Sequence, residues 1–278
     1  LQIPIIMHRT QIGYSESVID IYISQFPLPS QILAKGSVSQ FVKVEGLQFQ
    51  QIANGYVSWG DCDNDNDLDI LLTGSTNSDT ISRIYINEGN DIFNEITTAN
   101  IDGVENSVTD WGDYDKDGDL DILIVGGSNN STAMCKIYRN DGNNIFIELT
   151  NLNLEQYYDG AAAWGDYDND GDLDFIYSGT KIINQVYTKI YENKGNDIFE
   201  PLVGANITGF YDNSIAWGDY DNDSDLDILI SGRTTTYSGD AASKVYKNNG
   251  NGNFTELTNL PFVQIYKSEV SWGDYDND

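Results

Sequence analysis

Apolar and polar positions along the chain never settle into the 3.6-residue spacing of a helix. The recurring pattern is a short apolar run rich in β-branched residues, bounded by Asp, Gly and Ser: "LDILLTG", "LDILIVGG", "LDFIYSG" and "LDILISG". Runs of this length and composition read as buried strands. A segment ending in Trp-Gly-Asp, such as "NSIAWGD", precedes each one. After a variable linker come "SRIYINEGNDIF", "CKIYRNDGNNIF", "TKIYENKGNDIF" and "SKVYKNNGNGNF". The order predicts four strands per unit. One runs into the tryptophan, one is fully apolar, one surrounds "KIY", and a fourth starts at Phe93, Phe146, Phe199 or Phe254. Pieces such as "NEGND" join the last two, as Asn and Gly accept the positive φ of hairpin turns.

The pattern is a repeat. All five tryptophans, Trp59, Trp111, Trp164, Trp217 and Trp272, lie in Trp-Gly-Asp, about 53 residues apart. They read as packing residues. Units are expected at residues 54–106, 107–159, 160–212 and 213–267, with a further one starting at 268–278. A lone four-stranded sheet leaves both faces uncovered, and stacking such sheets around an axis covers them. The expected fold is therefore all-β, a β-propeller or an open propeller fragment of four-stranded antiparallel blades. A β-solenoid competes, but its coils are usually shorter.

Residues 1–53 are expected to form a degenerate partial blade. "FVKVEGLQFQQIANGYVSWGD" from Phe41 aligns without gaps to "FTELTNLPFVQIYKSEVSWGD" from Phe254, and "IDIYIS" at Ile19 resembles "LDILIS" at Leu226. Strands are expected near residues 18–24, 31–34 and 41–45. The last motif stops at Asp278, so an excerpt of a longer chain and a larger ring is expected, in preference to five closing blades.

Charge sharpens the picture. The chain has 44 acidic and 14 basic residues, a net charge of −30, which argues against a nucleic-acid surface. The aspartate loops hold 23 of the acidic residues, and without them the balance is 21 to 14. The acidity belongs to a device that follows each tryptophan. No apolar run reaches the ~18 residues of a membrane span. Cys62 and Cys135 are not at equivalent repeat positions and read as free thiols.

The device is Asp-x-Asp-x-Asp-Gly-x-x-Asp. Aspartates spaced by single residues converge only if the backbone curls, and a residue tolerating positive φ at position 6 supplies the curl. Oxygen donors in a short flexible loop suit Ca²⁺. Mg²⁺ demands stricter octahedral geometry, and zinc prefers His or Cys, of which His8 is the one histidine. The expected side-chain ligands are Asp61, Asp63, Asp65 and Asp69; Asp113, Asp115, Asp117 and Asp121; Asp166, Asp168, Asp170 and Asp174; and Asp219, Asp221, Asp223 and Asp227. Gly118 and Gly171 make the bend in two loops, Asn66 and Ser224 in the others, and the Ser224 loop is the least secure. Position 7 holds Asp67, Asp119, Asp172 and Asp225, expected to offer a backbone carbonyl. Asp274, Asp276 and Asp278 form an incomplete loop.

These loops and the strands after them resemble the FG-GAP/VCBS repeats of integrin α-subunit propellers and of secreted bacterial proteins, over about residues 41–278. The resemblance implies a propeller, usually seven-bladed, with calcium between the first two strands of each blade and roles in extracellular adhesion or recognition. The expected function is a non-enzymatic, calcium-stabilised, secreted or cell-surface scaffold. No nucleophile–base constellation stands outside the repeats. Its ligand, an extracellular protein or glycan, is placed on the rim opposite the calcium loops. There the links between second and third strands vary most, and inter-blade links carry Tyr157, Tyr158, Phe210, Tyr211, Phe262 and Tyr266. These aromatics suit recognition, though plugging gaps between blades is the favoured reading. A lectin-like propeller and an accessory domain of a secreted enzyme are the alternatives.

Overall fold

Among the residues described by the computed structural model (6–12, 16–22, 30–34, 47, 49–128, 132–182, 185–235 and 240–273), nineteen strands form five antiparallel sheets and no helix. The first sheet has three strands, β1 (Ile6–Ile12), β2 (Glu16–Tyr22) and β3 (Ser30–Ala34). Strands β2 and β3 fall close to the expected 18–24 and 31–34. Strand β1 was not anticipated, and the expected strand at 41–45 lies outside the described residues.

Four four-stranded sheets follow in propeller-like order. The first contains β4 (Ala53–Gly60), β5 (Asp69–Ser75), β6 (Thr80–Asn87) and β7 (Phe93–Glu95). The second contains β8 (Glu105–Gly112), β9 (Asp121–Gly127), β10 (Ala133–Asn140) and β11 (Phe146–Glu148). The third contains β12 (Tyr158–Gly165), β13 (Asp174–Ile182), β14 (Gln185–Asn193) and β15 (Phe199–Pro201). The fourth contains β16 (Tyr211–Gly218), β17 (Asp227–Arg233), β18 (Ala241–Asn248) and β19 (Phe254–Glu256). Sequential strands are neighbours throughout, and each fourth strand begins at the expected phenylalanine. Among the described residues no sheet closes on itself.

The first strands sit innermost, β4 against β8, β8 against β12 and β12 against β16. Each carries a register shift near its start, where Asn54, Asn106, Asp159 or Asp212 has φ between 46° and 50°. The core lies between sheets. Leu123, Val125 and Ile137 of the second pack with Tyr157, Phe175, Tyr177 and Tyr191 of the third. The second strands are buried on both faces, as their unbroken apolar pattern requires.

A single dipeptide sets the spacing between sheets. A Cβ added to Gly60, Gly112, Gly165 or Gly218 would lie 2.8, 2.8, 2.7 or 2.5 Å from Trp111, Trp164, Trp217 or Trp272 of the next unit. Each Trp-Gly pair thus offers its glycine as the floor on which the following indole lies. Trp217 and Trp272 also donate Nε1–H to the carbonyls of Ala163 and Ala216, both at 3.2 Å. Trp59 is 54% exposed, with no such floor before it among the described residues. The inter-blade aromatics divide. Tyr157, Phe210 and Tyr211 are buried and plug the gaps. Phe262 and Tyr266 are exposed, and Arg233 lies 3.6 Å above the Tyr266 ring.

Candidate metal centres

Each aspartate loop joins the first strand of a sheet to the second, so all lie on the same edge of their blades. The curl has two left-handed residues per loop. At position 6, Asn66, Gly118, Gly171 and Ser224 have φ of 73°, 96°, 88° and 73°. At position 4, which drew no comment from sequence, Asn64, Lys116, Asn169 and Asn222 have φ of 63°, 62°, 60° and 59°. Asn tolerates this region; Lys116 occupies it at a cost of about 1 kcal/mol or more.

The curl converges positions 1, 3 and 9. Carboxylate oxygens of Asp61, Asp63 and Asp69 lie within 4.8 Å of one another, as do those of Asp113, Asp115 and Asp121, of Asp166, Asp168 and Asp174, and of Asp219, Asp221 and Asp227. Each triad can hold a metal ion. Position 5 stands outside these groupings. Asp65, Asp117, Asp170 and Asp223 instead accept the N–H of the position-7 residue at 2.8, 2.9, 2.8 and 3.0 Å. Asp274, Asp276 and Asp278 lie outside the described residues.

The closing aspartate is also a structural pin. Asp174 is buried; Oδ2 accepts Tyr167 N–H at 3.3 Å and Oδ1 accepts Asn193 N–H at 2.8 Å. Asp69, Asp121 and Asp227 make the same pair of bonds, to Cys62 and Asn87, Tyr114 and Asn140, and Tyr220 and Asn248. The loop's second residue is thereby tied to the end of the third strand.

Those asparagines are a part of the site the sequence reading missed. Asn140, Asn193 and Asn248 donate Nδ2–H to the carbonyls of Cys62, Tyr114 and Tyr167 in the preceding loop, at 2.8, 2.9 and 2.8 Å. Their Oδ1 atoms accept N–H from Gly142, Gly195 and Gly250 in the hairpin. Each clamps one loop to the next sheet. The signal was present, because an Asn stands two residues after the Tyr of all four "IY" or "VY" segments (Asn87, Asn140, Asn193 and Asn248). It was read only as turn chemistry.

Position 7 also faces its neighbour. Asn64 donates to Asp119 at 2.6 Å, Lys116 pairs with Asp172 at 2.6 Å, and Asn169 donates to Asp225 at 2.9 Å. Position 4 of one loop thus latches position 7 of the next. The side chains of Asp119, Asp172 and Asp225 are links between loops. Because the Lys116–Asp172 pair is exposed, Asp172→Asn is expected to leave stability nearly unchanged. It should leave the number of bound metal ions unchanged in a metal-content assay, whereas a side-chain ligand would lose one.

The donor set fits a hard divalent cation. Every converging group is a carboxylate, and in two loops an oxygen is left over. Asp113 Oδ1 and Asp166 Oδ1 are buried without a hydrogen-bond partner. Buried carboxylate oxygens normally have partners, so these two are free to serve a cation.

A model of the FG-GAP-like repeat matches residues 61–124 and again residues 113–177. Residues 61–177 thus carry FG-GAP-like repeats. The matched segments begin at the first aspartate of the first and second loops and reach Tyr177 in β13. The fourth sheet, beyond the match, repeats the same triad, pin and clamp. No curated protein matches the chain. Among the described residues no helix is long and apolar enough to cross a membrane, and Cys62 and Cys135 are buried free thiols.

Proposed function

We propose that the chain is a calcium-stabilised extracellular scaffold for binding or adhesion, in which the metal is structural. The observation that carries the calcium reading is the repetition of one three-carboxylate cage in four loops. The buried unpaired oxygens of Asp113 and Asp166 add to it. Ca²⁺ takes six to eight oxygen ligands. The triad supplies three carboxylates, and position 5, the position-7 carbonyl and water would complete the shell. When bound, the cation neutralises the crowded carboxylates and joins the first strand to the second.

The partner, an extracellular protein or glycan, is placed on the opposite edge, on the links between second and third strands. Those links differ in sequence from sheet to sheet while the metal edge repeats, and loops on a rigid frame carry recognition.

Calcium is expected to bind at three or four sites per chain at pH 7.5, counted by equilibrium dialysis. Asp166→Ala should remove one. A protein that binds none overturns the reading. Affinity should fall from pH 8 to pH 6. Burial raises the Asp121 carboxyl to about 8 and that of Asp174 to about 7, far above the usual carboxylate value. A raised folded-state pKa means that the metal-free fold holds these protons in mild acid and releases them between about pH 7 and 8. The stability they contribute is fully present below the ordinary carboxylate pKa of 3.8 and is lost as pH rises from there through about 7 and 8. Calcium requires the ionised form, so protons compete with it.

A further inference from the structure

The four cages are not equivalent, and the residue just before the clamp asparagine separates them. It is Ile86, Arg139, Glu192 and Lys247 in turn. The Ile86 side chain is apolar and buried. Arg139 turns toward Asp141 and Asp197, at 2.7 and 2.8 Å. Glu192 accepts the Tyr167 hydroxyl at 2.6 Å and pairs with Lys194 at 2.8 Å. Lys247 alone of the four turns into its own loop. Its ammonium pairs closely with Asp221, a member of the triad, and lies 3.0 Å from Asp223.

The bend residue produces a second difference. In the Gly118 and Gly171 loops only the position-6 N–H reaches the first aspartate, at 3.1 and 3.0 Å, leaving Asp113 Oδ1 and Asp166 Oδ1 unpartnered. In the Ser224 loop the N–H groups of Asp223 and Ser224 occupy both oxygens of Asp219, at 3.0 and 2.9 Å. The Asn66 loop does the same with Asp61. The fourth loop is therefore closed by its own bonds and carries its own cation.

We propose that Lys247 makes the fourth cage a partly neutralised joint, which binds calcium only by expelling the lysine ammonium and so fills at higher calcium than the second and third cages. The proposal rests on the calcium reading above. Ligand charge and rigidity tune calcium affinity over orders of magnitude, and here a positive charge occupies the donor side. At low calcium the fourth sheet stays joined while the site is metal-free. At high calcium the Lys247 side chain is released to solvent on the metal edge.

The test is calorimetric titration of the full chain with Ca²⁺ after EDTA stripping, comparing wild type with Lys247→Met, Lys247→Gln and Lys247→Arg. One wild-type calcium should bind at least about tenfold more weakly than the tightest two. Lys247→Met and Lys247→Gln should each tighten that step by about tenfold and leave the others in place. Lys247→Arg should keep it weak. Adding Asp219→Ala to Lys247→Met should remove the tightened step. Amide exchange over residues 219–227 in EDTA should be faster in Lys247→Met and should slow again with calcium. Calcium binding that is identical in wild type and both neutral variants overturns this proposal alone. The absence of bound calcium in every variant overturns the calcium reading as well.

Discussion

Asp174→Ala is expected to destabilise the protein by about 3 kcal/mol even in EDTA, because it strands two buried N–H groups at roughly 1–3 kcal/mol each. Those groups belong to Tyr167 and Asn193. Freeing Asn193 also loosens its clamp on the Tyr114 carbonyl, so the damage spreads from the third sheet to the second loop. The melting temperature should fall by roughly 5–10 °C for a chain of this size. In calcium the loss should be larger, since a ligand goes too. Asp172→Asn, two residues away, serves as the control, because it touches only an exposed ion pair. Equal melting temperatures for Asp174→Ala and wild type in EDTA would show that the closing aspartate acts through metal alone.

Gly165→Ala should have an effect of similar size by a different route. Its new Cβ would lie 2.7 Å from Trp217 Cδ1 and 2.9 Å from Cγ and Nε1. The indole cannot retreat easily. It stacks on Tyr167 with centroids 6.4 Å apart, and its Nε1–H is held by the Ala163 carbonyl. Overpacking against such a ring costs about 3 kcal/mol. Among the described residues, no atom lies within 4 Å of a Cβ added at Gly273, the same point of the fifth motif. Gly273→Ala is therefore expected to change stability by less than about 0.5 kcal/mol. Chemical denaturation of both variants measures the contrast. Equal effects would show that the tryptophan–glycine contact does not set the spacing between sheets.

Much of this was legible in the sequence because repetition exposes it. The apolar second strands, the fourth strands from Phe93, Phe146, Phe199 and Phe254, and the positive φ at position 6 follow from composition and local backbone rules. Local rules do not report what one unit does to the next. The Asn140, Asn193 and Asn248 clamps reach a carbonyl about 80 residues back in the chain. The Lys116–Asp172 and Asn169–Asp225 latches cross between loops. Convergence of positions 1, 3 and 9 without position 5 depends on which N–H groups each carboxylate captures, and spacing alone does not rank them. Strand β1 carries no motif, only "IMHRTQI", so nothing in the repeat predicted it.

Calcium as part of the fold is tested most directly by thermal melting of one preparation, stripped with EDTA and then returned to calcium. A site with a Kd of roughly 10 µM contributes about 2.7 kcal/mol at about 1 mM calcium. Several such sites should raise the melting temperature by well over about 10 °C, with magnesium at the same concentration giving much less. Identical melts in EDTA, magnesium and calcium would contradict the account.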